Sequence, residues 1–546
     1  MKAIKLCLLI MCTHVFTLWS QTRSFGTLPL AQKPGAISVN GAKIEDTEEY
    51  RQALKVYNKL VAARGDFRYP VPTFALCREM RSVAYVNYDH LEITLEEKAM
   101  EVCKTFGPDA EAAIAFLLGH ELTHYYEKHA WQRGFAAEFK DLPIGVTIDS
   151  LFDDVAHETE ADYLGGFLAY SAGYGLFDKG AELIQRIYKA YNLPEKLNGY
   201  PSMSDRQALT TRTAQQLKQL VDVFEMANML TAIGHYTEAY EYYRYVLMQY
   251  QSRELYNNLG VTAVMEAINK YFEEKELKYR YPIQLDMETT LVHGYGTVDA
   301  RNVLLNQALL HFDAAISMDP NYAPAYLNKA CTYALMGDTL RARFFAENEA
   351  KPAALRGDYP KTLIDVDILI GILETKGGNK EQARQLFQMA ADSGSALAAY
   401  NLSMLNREKS VPEEMKLSIS IPKVEKIDGQ SMKDVAANML VDYDKIIRLS
   451  QYLVFYQNPK QGPQSKLFAS KNKQTGEVTK FHITNASYTG QTARGIGIGA
   501  GRNELIQAYG EPRRSVETPR SQILVYPNVL FVLGRGDRVE SWGTYE

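Results

Sequence analysis

Cysteine is scarce in this sequence, and long apolar runs are absent after the first twenty residues. Five of the 546 residues are cysteine, and two of these lie within the first twelve positions. The remaining three, Cys77, Cys103 and Cys331, are too few for a disulfide-rich scaffold. They leave open one Cys77–Cys103 bridge or three buried free thiols. No segment after residue 20 approaches the roughly 18 apolar residues of a membrane-spanning helix, so we expect a mature chain without such spans.

A basic surface is also missing from the sequence. Lysine and arginine total 60 and aspartate and glutamate 65, which gives a formal net charge of −5, and no run of basic residues stands out. We therefore expect no nucleic-acid partner. The composition is ordinary for a globular protein, and the length predicts about three domains.

The N-terminus has the organisation of a secretory signal. Lys2 and Lys5 precede an apolar run over residues 6–19, and Ser20 provides a small residue at the expected cleavage point. A short membrane anchor is the alternative, but about 14 apolar residues interrupted by His14 are few for a bilayer. We therefore expect residues 1–20 to be a signal peptide and the mature chain to be exported.

The sequence GHELTH at residues 119–124 is the most specific motif of the chain, and it lies in an Ala/Leu-rich segment with strong helix propensity. Residues four apart share one face of a helix, so His120 and His124 can present two imidazoles to one metal ion. Glu121 follows directly and can take a proton from a metal-bound water. The spacing predicts a zinc hydrolase, and two histidines that only pack in a core are the alternative.

A second candidate segment, acidic in character, follows at residues 153–162. Glu158 and Asp162 lie on one face of a predicted helix, so Glu158 can complete a three-ligand zinc site with an open fourth position. Asp162 can accept a hydrogen bond from a ligand histidine and fix its tautomer. An acidic helix face is usually only solvated, as we expect for Glu160, but the pairing with two histidines favours ligation. His129 and His157 are expected beside the site rather than as ligands.

HELTH followed by ETEAD at residues 158–162 resembles the gluzincin zinc metallopeptidases, a group that includes HtpX and the CAAX prenyl protease. Both motifs match without substitution, and the resemblance covers about residues 47–215. It implies one Zn²⁺ per chain held by His120, His124 and Glu158, with Glu121 as general base and Asp162 as the supporting carboxylate. It also implies a helical domain with a small β-sheet.

Residues 48–94 are predicted to form one helix, over 48–63, followed by short strands at 82–87 and 91–94. In gluzincins a strand of this kind borders the cleft and pairs with the substrate, so Asn87 and its neighbours are candidates for that edge. An internal hairpin without a substrate role is the alternative. Further along, Gly165 and Gly166 favour either close helix packing or a kink.

From about residue 217 the pattern changes to helix pairs with small residues at fixed offsets. A turn glycine at Gly234, Gly337 or Gly378 is followed five residues later by an alanine, and Gly260 and Gly371 supply small contacts on preceding helices. This order resembles the tetratricopeptide repeat, a solenoid that binds peptides or protein partners. Ordinary amphipathic hairpins are the alternative for any single match. Residues 270–300 look inserted.

After Pro412, strand patterns appear at residues 417–421, 522–526 and 529–533. A glycine-rich run at 495–501 precedes a predicted helix over 503–509. A phosphate-binding loop would require a βαβ unit that the sequence does not indicate, so we expect a turn in a small α+β domain.

Together these patterns predict a mainly α chain with four parts. These are the signal peptide at 1–20, a zinc metallopeptidase domain at 47–215, a tetratricopeptide-repeat-like helical domain at 217–410 and a C-terminal α+β domain at 411–546. The combination resembles periplasmic gluzincins of the BepA type, which implies envelope protein quality control or outer-membrane assembly. We therefore predict an exported, periplasmic zinc endopeptidase with protein substrates, a protein partner on the repeats and association with the outer membrane.

Two other functions remain open at this point. The first is a repeat-based chaperone or scaffold with a latent peptidase site, in which a loop or a fourth ligand such as His235 or His293 covers the metal. The second is a structural zinc site with four protein ligands and no open position.

Overall fold

The computed structural model describes residues 43–78, 82–88, 90–128, 154–175, 177–195, 202–284, 298–406, 424–434, 445–457, 464–517, 522–534 and 536–546. The chain divides into two compact units, the first formed by Met1–Arg64 and Tyr69–Gln219 and the second by Gly65–Arg68 and Leu220–Glu546. The predictions for the signal peptide, His129, His293 and a strand at 417–421 lie outside the described residues.

The first unit combines helices with a four-stranded sheet. Its described helices are α1 (Glu48–Arg64), α2 (Glu97–Lys104), α3 (Ala110–Tyr126), α4 (Asp154–Ala169), α5 (Gly180–Ala190) and the first part of α6 (Met203–Ile233). Its described strands are β1 (Lys43–Ile44), β2 (Thr73–Cys77), β3 (Ala84–Asn87) and β4 (Glu92–Glu96). The helix and the two strands predicted between residues 48 and 94 are therefore present, with bounds shifted by a few residues.

The sheet has the order β1-β2-β4-β3, with β2 and β4 parallel and the other neighbours antiparallel. All five residues of β4 are buried, as expected for a central strand. Helix α3 is apolar on nearly every side, and a helix of this kind is buried on all its faces. It packs with α1, α2 and the sheet in one apolar core, which fixes the helix that carries HELTH.

The second unit begins with helix pairs. After the end of α6 its described helices are α7 (Tyr236–Leu247), α8 (Arg253–Tyr271), α9 (Val298–Met318), α10 (Ala323–Leu335), α11 (Thr339–Phe344), α12 (Lys351–Arg356), α13 (Pro360–Lys376), α14 (Lys380–Asp392) and α15 (Ala396–Asn406). Among the described residues the chain is therefore mostly helical, as predicted. A π-helical turn, Phe345–Ala350, joins α11 to α12.

The helix pairs use their glycines in two ways. Gly234, Gly337 and Gly378 adopt positive φ angles of 92°, 85° and 86° in the turns between helices, a conformation that favours glycine. Gly260 and Gly371 instead face aromatic rings, since an added Cβ would lie 2.4 Å from the Phe312 ring and 2.6 Å from the Phe387 ring, respectively. These glycines occupy the positions that the repeat pattern predicts.

Antiparallel strands form the rest of the second unit. They are β5 (Lys445–Arg448), β6 (Leu453–Gln457), β7 (Ser465–Asn472), β8 (Val478–Thr484), β9 (Arg514–Glu517), β10 (Gln522–Tyr526), β11 (Val529–Leu533) and β12 (Val539–Tyr545). One sheet contains them all in the order β5-β6-β7-β8-β12-β11-β10-β9, and helix α16 (Arg502–Tyr509) packs on it. The predicted strands at 522–526 and 529–533 and the predicted helix at 503–509 are present.

The sheet contacts the first helices of the same unit. Lys466 donates to Asp222 and Glu225 at 3.0 and 2.8 Å, and the Tyr452 hydroxyl donates to Glu241 at 2.8 Å. Helix α6 is continuous through residues 215–217, where the sequence predicts a domain boundary. The domain boundaries therefore stay predictions.

The remaining expectations concern cysteines and membrane spans. Cys77, Cys103 and Cys331 are buried and form no disulfide, so the structure has the second of the two arrangements that the sequence left open. Within the part of the chain that the structure describes, no helix is both long enough and apolar enough to cross a membrane.

Candidate metal centre

Helices α3 and α4 contact each other at Gly119 and Gly165, and the candidate site lies beside this contact. A Cβ added to Gly165 on α4 would lie 2.6 Å from the Gly119 carbonyl carbon and 2.6 Å from the His120 nitrogen on α3. The two backbones are therefore in direct contact, which only glycine allows. This close approach brings the HELTH turn of α3 beside the Glu158–Asp162 turn of α4.

The three predicted ligands converge through their side-chain donor atoms. His120 Nε2 lies 3.0 Å from His124 Nε2 and 3.5 Å from Glu158 Oε2, and His124 Nε2 lies 3.6 Å from Glu158 Oε1. In a tetrahedral zinc site with bonds of about 2.0–2.1 Å, two donors are about 3.3 Å apart. The donor chemistry and spacing of these three buried residues therefore fit a zinc ion.

The orientation of His120 is fixed from its far side. His120 Nδ1 donates to Asp162 Oδ1 at 2.8 Å, and Asp162 Oδ2 accepts from the Thr210 hydroxyl at 2.9 Å. A neutral imidazole that is protonated at Nδ1 presents a lone pair at Nε2, the atom that faces His124 and Glu158. Asp162 therefore has the geometry that the sequence predicts for it, and Thr210 is an addition that the sequence did not indicate.

Arg206 is a buried cation beside this site that sequence reasoning missed. Its Nη1 donates to Glu158 Oε2 at 2.8 Å, and its Nη2 lies 3.8 Å from Asp162 Oδ1. Ile184 and Ile187 of α5 line a cavity with it and keep this side of the site apolar. Arg206 comes from α6, far along the chain, and no motif spacing connects it to the ligands.

Burial and mutual charge act in opposite directions on these groups. Burial lowers the pKa of His120, but the hydrogen bonds and charges of Asp162 and Glu158 outweigh it and raise that pKa to about 10. Burial raises the pKa of Glu158, but the charge of Arg206 and the His120 hydrogen bond lower it to about 2. The pKa of Asp162 is lowered against its burial by the same two partners. Two ionised carboxylates around the imidazoles therefore favour a cation there.

The other candidate residues take different positions. Glu121, which follows His120 in the sequence of α3, is fully buried. Glu160 is exposed and His157 is half-buried on α4, and neither belongs to the converging donor set. His235, considered as a fourth ligand, lies in the second unit with its Nδ1 3.4 Å from the Thr479 hydroxyl. Its ligand role stays a prediction.

The predicted substrate edge is strand β3, which has one neighbour, β4, among the described strands. Strand β3 packs against α3. Tyr88, the residue after the strand, donates its hydroxyl to the His124 carbonyl at 3.3 Å. Asn87 is buried at the end of β3. The strand is therefore both an edge of the described sheet and a neighbour of the HELTH helix, and it forms a hairpin with β4.

Comparisons with known proteins concern the repeats. The family model for the tetratricopeptide repeat matches residues 311–344, which extend from the second half of α9 to the end of α11. Tetratricopeptide repeat protein 36 of Danio rerio is 34% identical over 111 residues, and the alignment covers 20% of this chain and 58% of that protein. The repeat part of the predicted resemblance is confirmed. These matches favour a repeat-based scaffold or protein-interaction role over the peptidase reading.

Proposed function

We propose that this chain is a zinc-dependent endopeptidase with a protein-binding repeat region. The observation that carries the proposal is the convergence of three buried donor atoms, on His120, His124 and Glu158, at 3.0–3.6 Å from one another. Asp162 and Thr210 hold the imidazole of His120 in the tautomer that a metal requires. A buried acid, Glu121, lies in the same turn of α3.

The proposed chemistry assigns one task to each residue. A bound Zn²⁺ would lower the pKa of a coordinated water to about 7 and polarise the scissile carbonyl. Glu121 acts as general base for the attacking water and returns the proton to the leaving amine. Asp162 holds the His120 imidazole, and Arg206 keeps the Glu158 carboxylate ionised and in place. The position of β3 at the edge of the described sheet supports substrate binding by strand addition.

The proposal extends to partners and location. Tetratricopeptide repeats bind proteins, so we expect the second unit to recruit a protein substrate or partner. Export to the periplasm and a part in envelope protein quality control or outer-membrane assembly, with association at that membrane, rest on the sequence resemblance and belong to this proposal.

A repeat-based chaperone or scaffold with a latent peptidase site is the second candidate. The match to the tetratricopeptide repeat at residues 311–344 supports this function, because such repeats generally mediate protein–protein interactions. The two candidates make different predictions for Glu121. The endopeptidase needs its carboxylate for hydrolysis, whereas a scaffold binds its partner without it.

The test compares the zinc-loaded wild type with Glu121→Gln on an unfolded protein substrate. Loss of the general base should reduce hydrolysis about 10²–10⁴-fold while zinc content stays at one per chain. Glu160→Gln is the matched control, since it makes the same change at an exposed acid on α4 and should leave hydrolysis unchanged. Equal hydrolysis by wild type and Glu121→Gln, or none by the zinc-loaded wild type, would reject the endopeptidase.

A further inference from the structure

An inserted segment interrupts the helix pairs of the second unit. Helices α8 and α9 pack closely as one hairpin, yet residues 272–297 separate them along the chain. Other consecutive helices are joined by short links, as at 319–322, 377–379 and 393–395. Residues 272–284 of the insertion are described: Glu274–Leu277 form a 3₁₀ turn, and residues 278–284 (KYRYPIQ) form neither a helix nor a strand. We call residues 278–284 the inserted segment.

The side chain of Asn328 binds the main chain of the inserted segment at Gln284. Asn328 Oδ1 accepts from the Gln284 N–H at 2.7 Å, and Asn328 Nδ2 donates to the Gln284 carbonyl at 2.8 Å. Asn257 Nδ2 donates to the same carbonyl at 3.1 Å. Because these bonds involve only backbone groups of the segment, they do not depend on which side chain it carries.

The same pairing recurs four residues earlier in the segment. Asn401 Oδ1 accepts from the Arg280 N–H at 2.9 Å, and Asn401 Nδ2 donates to the Arg280 carbonyl at 2.9 Å. Both asparagines are almost completely buried, so their polar atoms are matched rather than solvated. One γ-turn, from the Ile283 N–H to the Tyr281 carbonyl, bends the otherwise open segment.

Three of the side chains that bind the segment come from one position of the repeat. Asn328, Asp365 and Asn401 are each the sixth residue of their helices, α10, α13 and α15, and Asn258 is the sixth residue of α8. Asn257 donates to Asn258 Oδ1, and its own Oδ1 accepts from Asn328 Nδ2 at 2.8 Å. Helices α8, α10, α13 and α15 therefore present a row of polar residues, Asn258, Asn328, Asp365 and Asn401, which we call the carboxamide groove.

A pocket around the Gln284 side chain selects which residue can occupy the last position of the segment. The Gln284 carboxamide donates to Asp365 at 2.7 Å and accepts from the Thr362 hydroxyl at 2.9 Å. Gln284, Asp365 and Thr362 are all buried. This pocket fits a side chain that offers both a donor and an acceptor, and an acidic side chain would face Asp365.

We propose that the inserted segment is an internal ligand of the repeats, which occupies the carboxamide groove as an extended segment of another protein would and thereby blocks it. Tyr279, Tyr281 and Ile283 of the segment pack on the apolar clusters of the helices, and filling space would need only such contacts. In addition, the main-chain N–H and C=O groups of two segment residues are each paired by one asparagine, Asn328 of α10 or Asn401 of α15. An extended stretch of another protein, with a glutamine at the last position, competes for the same bonds. This site is independent of the metal centre and of the proposed hydrolysis.

The test uses the full chain with the inserted segment replaced by a Gly/Ser stretch of equal length, and a fluorescent KYRYPIQ peptide. Anisotropy should show saturable binding to this variant, at least about tenfold tighter than to the unmodified chain, where the internal ligand competes. Adding Asn328→Ala or Asn401→Ala should weaken binding about tenfold or more. Asn406→Ala, at the exposed end of α15, is the matched control and should change it less than about twofold.

Two results would overturn the proposal. One is a replaced variant with a native circular dichroism spectrum that does not bind the peptide, and the other is binding that ignores Asn328→Ala and Asn401→Ala. If the replaced variant does not fold, hydrogen exchange on the unmodified chain decides. Excess peptide should speed exchange of the Arg280 and Gln284 amides, and unchanged exchange would reject the internal ligand.

Discussion

Replacing Gly165 by alanine should separate the helices that carry the proposed metal ligands. Its new Cβ would lie 2.6 Å from two backbone atoms of α3, about 0.8 Å closer than ordinary van der Waals contact. No side-chain rotation relieves this overlap, so α4 must move. Metal–ligand distances tolerate only about 0.2 Å. A shift of about 0.8 Å therefore moves Glu158 out of bonding range of a metal held by His120 and His124.

We expect zinc affinity to fall about tenfold to a hundredfold. The free energy of unfolding should change by less than the free energy of zinc binding does. Overpacking costs about 1–3 kcal/mol, but alanine regains about 1 kcal/mol of helix propensity. Gly166→Ala is the matched control, because its Cβ meets only the rotatable Leu217 Cδ2 methyl, at 2.6 Å. Competition with a chromophoric chelator measures both affinities. Equal zinc affinities of Gly165→Ala and Gly166→Ala would refute the argument.

Three further predictions follow from buried polar groups. Asp162→Asn should lower zinc affinity about tenfold or more, because the amide no longer fixes the imidazole tautomer; a chelator competition that finds wild-type affinity contradicts this. Lys466→Met should lower the free energy of unfolding in urea by about 2 kcal/mol, and by less in an Asp222→Asn background, since Asp222 is fully buried. Equal losses in both backgrounds would count against that ion pair. Burial lowers the pKa of His311 from 6.5 to about 4, so the unfolded chain binds the proton first and stability falls between pH 6.5 and 4. His311→Gln should therefore reduce this fall in thermal scans, and an identical pH profile would contradict it.

The candidate site residues could be identified from the sequence because the information for each pair is local. His120 and His124 lie four apart on one helix, and so do Glu158 and Asp162, so each pair shares a face whatever the rest of the chain does. The repeat turns were predictable for a similar reason. Gly234, Gly337 and Gly378 are turn residues, and each is followed by an alanine five residues later.

The missed features depend on contacts between distant segments. Arg206 and Thr210 reach the site from another helix and resemble ordinary polar residues of an amphipathic pattern. Asn328 and Asn401 gain their meaning only when the inserted segment lies across them. The pairing of β8 with β12 likewise joins strands far apart in the chain, which alternation within either strand cannot indicate.

The central claim is an open zinc site with three protein ligands, and X-ray absorption at the zinc edge of the loaded wild-type chain tests it most directly. The claim predicts two imidazole nitrogens at about 2.0 Å, one carboxylate oxygen and one exchangeable water oxygen. A sulfur ligand, four protein donors or an unchanged spectrum in His124→Ala would contradict it.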